Sequence, residues 1–127
     1  MKLLLDTHIF LWFILGDTRI PTQTLESIRR PENEVYLSIV SLWEVIVKHQ
    51  LSKLTLPEPP ETYIPLQRER HRIDTLPLDE SSVRRLAGLP PLHRDPFDRM
   101  LICQALEQDL VIVTLDQQIR DYQVKVL

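Results

Sequence analysis

Glycine is nearly missing from this chain: Gly16 and Gly88 are the only two among 127 residues. Neither stands in a GxGxxG or GxxxxGK(S/T) context, so the backbone loops that cradle dinucleotide and nucleotide phosphates are excluded. Cysteine is scarcer still. Cys103 is alone, which rules out an intramolecular disulfide and, without CxxC or Cys/His spacing, a thiolate zinc site. A reducing cytoplasm suits such a chain. Long apolar runs are missing too: the longest covers residues 9–15, and the run at 3–5 stops at Asp6. Neither suits a membrane span or a signal-peptide core, and the expectation is a soluble, cytoplasmic protein. There is no basic excess, since the formal net charge is −3 and the pI about 5.8. That removes a general attraction to nucleic acid, although acids gathered around bound cations would lower the sum without repelling a polyanion.

With 43% apolar and 26% charged residues, the composition fits one globular domain over residues 1–127. A chain of this length buries roughly two-thirds of its unfolded surface, enough for a core without staples. Apolar runs and punctuation predict strands at 2–5, 34–37, 73–76, 110–114 and 124–127. Helices are predicted at 7–15, 21–30, 38–50, 61–71, 80–87, 96–108 and 117–122, with Pro65 bending or shortening the fourth and Gly88 ending the fifth. The clearest start signal is Asp95-Pro96-Phe97-Asp98: an N-cap acid, proline in the first helical position, and a further acid. Strands separated by helices, without Asn-Gly hairpin turns, predict an α/β fold with a mainly parallel sheet covered on both faces.

Ligands in such folds bind at the carboxyl ends of the strands, where the strand order reverses. Asp6 and Asp116 follow apolar runs directly, and Glu44 and Asp98 fall in early turns of their helices. Each also has a local explanation. Asp6 can cap the first helix, Ser41-Leu42-Trp43-Glu44 reads as a capping box, Asp95 and Asp98 suit a helix start, and Asp116 can open a turn or cap a short helix. Glu44 fits the local explanation poorly, because Leu42 and Trp43 surround it with apolar bulk. The convergence of four acids favours a site. Converging carboxylates repel and raise one another's pKa values unless they share a cation, and hard oxygen donors without a His or Cys cluster suit Mg²⁺ or Mn²⁺.

The segments Leu3-Leu4-Leu5-Asp6-Thr7-His8, Ser38-Ile39-Val40-Ser41-Leu42-Trp43-Glu44, His93-Arg94-Asp95-Pro96-Phe97-Asp98-Arg99-Met100-Leu101-Ile102 and Val113-Thr114-Leu115-Asp116 together resemble a PIN domain. More narrowly, they resemble its VapC-like toxin branch. The similarity runs in order from residue 3 to the C-terminus, and its most specific element is His93 to Arg99. It implies a three-layer α/β/α sandwich and a Mg²⁺- or Mn²⁺-dependent endoribonuclease whose acidic quartet is Asp6, Glu44, Asp98 and Asp116. Asp6 and Asp98 rank first as ligands, then Glu44, then Asp116. Thr7 and Thr114 would orient carboxylates or water, and Asp95, one helical turn from Asp98, would assist or replace it. The resemblance further implies an RNA substrate, an antitoxin segment lying over the acidic site, and homodimers.

Most basic side chains read as solvated helix faces. Arg94 and Arg99 bracket the proposed site and are candidates for phosphate contact. His93 reads as a loop or capping residue, His8 as a packed neighbour of the site, and Trp12 and Trp43 as packing residues. Competing chemistries lack their residues: an Asp-x-Asp phosphatase motif meets His8, a His-x-His metal motif meets Phe10, and a phosphoacceptor site lacks lysine near Thr114. The remaining alternative is a catalytically degenerate PIN module that binds RNA or protein without cutting.

Overall fold

Four short strands carry the architecture, in a computed structural model that describes residues 1–127. They are β1 (Lys2–Leu5), β2 (Glu34–Ser38), β3 (Asp74–Leu76) and β4 (Val111–Val113), all parallel, in the order β3-β2-β1-β4. The register pairs Leu3 with Val35 on one side and with Val111 on the other. Parallel neighbours require crossovers. These run through α1 (Thr7–Leu15) and α2 (Thr22–Arg29), then α3 (Ile39–Gln50) and α4 (Pro60–Arg70), then α5 (Glu80–Arg85) and α6 (Pro96–Gln108). The short α7 (Gln117–Arg120) follows β4.

Side-chain alternation splits the interior in two, because successive strand residues point to opposite faces. Leu3 and Leu5 of β1 enter one core with Val35, Leu37 and Val113, covered by Phe10, Ile28 and Ile64 from α1, α2 and α4. Leu4 enters the other with Leu76 and Ile112, covered by Leu101, Ile102 and Ala105 of α6 and Ile119 of α7. α3 serves both, with Val45 in the first core and Val40 in the second. Burial on both faces explains why the two neighbouring strands β1 and β4 read as unbroken apolar runs rather than alternating ones. The three-layer α/β/α sandwich expected from the sequence is therefore the fold observed. No helix is long and apolar enough to cross a membrane.

Two local expectations fail, at residues 124–127 and at Gly88, and Pro65 does not shorten its helix. Residues 124–127 form no strand: the Val124 amide is tied to the Tyr122 carbonyl two residues back, and only Val126 bridges Ile112. Pro65 neither ends nor shortens its helix, which runs unbroken from Pro60 to Arg70. The amide it lacks would have bonded the carbonyl of Glu61, an exposed residue open to water. Gly88 does not supply a left-handed stop either. α5 ends at Arg85, and residues 86–88 tighten into a 3₁₀ turn. Left-handed residues fall instead at Gly16, with φ of 66°, behind α1, at Ser52, with φ of 57°, behind α3, at Arg72, with φ of 55°, behind α4, and at Asp109, with φ of 54°, behind α6.

One buried polar link keys α6 to the sheet. Ser38, at the end of β2, donates to Gln104 Oε1 at 2.5 Å and accepts from the Val40 amide at 3.0 Å, capping α3. Gln104, fully buried, donates in turn to the Pro77 carbonyl beyond β3 at 3.2 Å. Replacing Gln104 with Leu strands both partners without changing the volume much. It is expected to lower stability by about 1–3 kcal/mol, read as a reduced urea midpoint at unchanged slope. An unchanged midpoint would show that the link is dispensable.

Candidate functional site

β1 sits where the strand order reverses: the chain leaves it for β2 on one side, and β4 returns on the other. A crevice beyond the carboxyl ends of β1 and β4 follows from that topology, and Asp6 lies there. Its amide donates to the Val113 carbonyl at 3.0 Å. Asp6 occupies the N-cap position of α1, yet its side chain caps nothing. The carboxylate accepts instead from the buried Thr114 hydroxyl, at 2.8 Å. Thr114 Oγ1 also receives the Asp116 amide at 3.0 Å, so one hydroxyl links two of the four acids. Asp116 caps α7, accepting from the Gln118 amide at 2.9 Å.

Glu44 is not part of a capping box, because the cap of α3 is Ser38 rather than Ser41. It is 1% exposed, an expensive place for a carboxylate without partners. Thr7 Oγ1 lies 2.7 Å from Glu44 Oε1 and 2.8 Å from Ser41 Oγ. A carboxylate only accepts, so Thr7 donates to Glu44 and takes the Ser41 hydrogen in return. The other Glu44 oxygen is ion-paired with Lys48, one helical turn on. Burial disfavours the Lys48 charge, but the hydrogen bond and charge of Glu44, aided by Asp95 and Asp98, more than offset it and hold its pKa above the usual lysine value.

Asp95 and Asp98 divide the work at the start of α6. Asp95 Oδ1 accepts from the Phe97 and Asp98 amides at 2.9 and 3.1 Å, the geometry of an N-cap. Asp98 is 7% exposed, and its Oδ2 lies 3.2 Å from Nε2 of the buried His93 ring. Burial first, then the charges of Asp95, Asp6, Glu44 and Asp116, push the Asp98 carboxyl up to about 8. Burial also raises Asp6, with Glu44 and Asp116 adding to the shift against the Thr114 hydrogen bond and His8. Asp6, Glu44, Asp98 and Asp116 thus stand in one another's fields.

The flanking residues sort differently. Arg94 is exposed. The Arg99 guanidinium is engaged by the Leu89 and Pro90 carbonyls and the Tyr122 hydroxyl, tying the 89–93 loop to α6. Trp43 is 54% exposed, edge-on to Phe97 at 4.8 Å, so it is not a core residue. A small cavity of about 250 Å³ opens beside the acids, lined by Asp6, His8, Ile9, Trp12, Leu115 and Asp116. A larger one, of about 680 Å³, includes none of the four acids. Reading the sequence missed Lys48, Ser41 and Tyr122 as members of this group. The i,i+4 spacing of Glu44 and Lys48 was a usable signal; nothing local linked His93 to Tyr122.

The donor set suits a hard divalent cation: only carboxylate oxygens, crowded enough to raise Asp98 by burial and mutual repulsion. No three of these side chains meet at metal-ligand spacing in this structure.

The PIN domain family model matches residues 3–125. Ribonuclease VapC16 of Mycobacterium tuberculosis is 31% identical over 70 residues, covering 54% of this chain and 50% of that protein. The match therefore spans only half the length of that relative. Among solved structures, VapBC2 from Rickettsia felis, bound to a promoter DNA fragment, shares the fold with a TM-score of 0.75 at 16% identity, over 100% of this chain and 98% of that one. A toxin-antitoxin complex from Klebsiella pneumoniae matches with a TM-score of 0.63 at 18% identity, over 98% and 94% of the two chains.

The raised Asp98 pKa sets the sign of a pH effect. Between the ordinary value of 3.8 and the folded value of about 8, the native state holds a proton that the unfolded chain has released, so stability falls as pH rises. Thermal unfolding in EDTA is expected to show Tm declining from pH 5 to pH 8, with Asp98→Asn flattening the decline. An equally steep decline in the variant would assign the effect to other groups.

Proposed function

The chain belongs to the PIN domain family, and on that premise we propose that it is a divalent-metal-dependent endoribonuclease, the toxin of a toxin-antitoxin pair. The observation that carries this reading is the placement of Asp6, Glu44, Asp98 and Asp116 at one edge of the sheet, where burial, then the charge of Asp95, then those of Asp6, Glu44 and Asp116 push Asp98 up to about 8. Asp6 and Asp98 are the principal ligands for Mg²⁺ or Mn²⁺, followed by Glu44 and then Asp116. A bound cation there supplies positive charge against the phosphoryl and leaving oxygens of RNA and makes water more acidic.

The protein's own groups prepare that site. Thr114 holds Asp6 and Thr7 holds Glu44, each through one hydroxyl hydrogen. Lys48 balances Glu44 and shares the field of Asp95 and Asp98. Asp95 stays with the helix cap, which leaves Asp98 as the acid of α6 turned to chemistry. Exposed Arg94 suits a phosphate contact that positions the strand. Arg99, whose guanidinium is already engaged, serves the loop.

Ile39, Trp43 and Leu115 are 42%, 54% and 44% exposed and adjoin the site-bearing segments in the chain. They provide apolar surface for an antitoxin segment that covers the acids, as a toxin-antitoxin partnership requires. Self-association into dimers belongs to the same reading.

The test is cleavage of a structured RNA pool by purified protein in Mg²⁺, Mn²⁺ or EDTA. Cutting is expected with either metal and not with chelator, and Asp6→Asn or Asp98→Asn is expected to slow it by at least about 100-fold, the scale of several kcal/mol of lost charge stabilisation. Asp95→Ala is expected to keep most activity while losing about 1 kcal/mol of stability with its cap. Cutting that survives in Asp98→Asn but dies in Asp95→Ala would exchange their roles. A folded, inhibitor-free protein that never cuts would instead be a binding module.

A further inference from the structure

The Tyr122 hydroxyl receives two donors. The His93 backbone amide lies 3.2 Å from it and Arg99 Nη1 2.9 Å. A phenolic oxygen has two lone pairs and one hydrogen, so its hydrogen is left for the third neighbour, His93 Nδ1, at 2.8 Å. A ring nitrogen that accepts carries no hydrogen of its own. The hydrogen of the neutral imidazole is then on Nε2, which faces Asp98 Oδ2 at 3.2 Å.

We propose that Tyr122, held by Arg99, fixes His93 in the Nε2–H tautomer, and that His93 is a positioning residue that orients the Asp98 carboxylate for the cation. The proposal rests on the reading of Asp98 as a ligand and adds the machinery that aims it. Burial makes the arrangement durable: the His93 side chain is 5% exposed and so is Tyr122, which leaves little water to replace either partner. The two rings pack edge to face, 5.3 Å between centroids. Three segments meet here, the loop before α6, the first turn of α6, and the residues after α7. Arg99 secures the first of them, bonding the Leu89 and Pro90 carbonyls. With Oδ2 held by His93, Oδ1 is the Asp98 oxygen left to face a cation. Supporting hydrogen bonds of this kind, which set a ligand's orientation, are worth about 10- to 100-fold in metal affinity.

Two readouts test it. Long-range proton–nitrogen NMR of the EDTA-treated protein at pH 8, with His93 assigned by comparison with His93→Gln, is expected to show a protonated Nε2 and an unprotonated Nδ1. The opposite pattern in wild type overturns the proposal, without any variant having to fold. Tyr122→Phe, which keeps the ring and removes one hydroxyl, is expected to give mixed tautomers. Its Mn²⁺ affinity, followed by electron paramagnetic resonance of free Mn²⁺, is expected to be about 10- to 100-fold weaker. Unchanged tautomer and unchanged affinity in a folded Tyr122→Phe overturn it. Wild type that binds no Mn²⁺ overturns the ligand role of Asp98 itself, and the nitrogen spectrum still judges the tautomer separately.

Discussion

Repulsion among carboxylates is the constraint on which this molecule turns. Four acids brought to one edge of a sheet, three of them in buried positions after β1, within α3 and in the first turn of α6, cost more than burial alone because each charge penalises the others. The structure meets that cost with one dedicated hydrogen-bonding partner per acid: Thr114 for Asp6, Thr7 for Glu44, His93 for Asp98, and the Gln118 amide for Asp116. Only Glu44 is also given a full counter-charge, from Lys48. The remaining excess of negative charge is what a divalent cation would offset in the proposed function.

The fold delivers the acids to that edge without special devices. A parallel sheet puts all strand ends on one side, and the order β3-β2-β1-β4 opens a crevice beside β1. α6 is placed against this edge by its apolar contacts in the second core and by the Ser38–Gln104–Pro77 link. α3 reaches it by following β2 almost without a loop. Rigid elements thus supply Glu44 and Asp98, while the short turns after β1 and β4 supply Asp6 and Asp116.

Helix capping and cation binding ask for the same residue types at the same places, which is why local reasoning left each acid ambiguous. The ambiguity resolves differently at each position. Asp95 and Asp116 do cap their helices; Asp6 and Glu44 do not, although one stands at an N-cap and the other three residues after a serine. Asp116 caps α7 with one oxygen while its charge adds to the field at Asp98.

Much of the fold was legible in the sequence because it depends on neighbours in the chain. Unbroken apolar runs marked β1 and β4, Asp95-Pro96 marked the start of α6, and the spacing of strands and helices implied parallel pairing covered on both faces. The same local rules misjudged Gly88 and residues 124–127, where a tightened turn and a backward hydrogen bond prevailed. Acid positions, too, were legible, along with the two threonines beside Asp6 and Asp116. Only the tertiary structure decided which donor serves which acid. Thr114 reaches Asp6 across 108 residues and Tyr122 reaches His93 across 29. A hydrogen bond depends on distance and direction in space, and sequence spacing reports these only within a turn of helix or between adjacent residues.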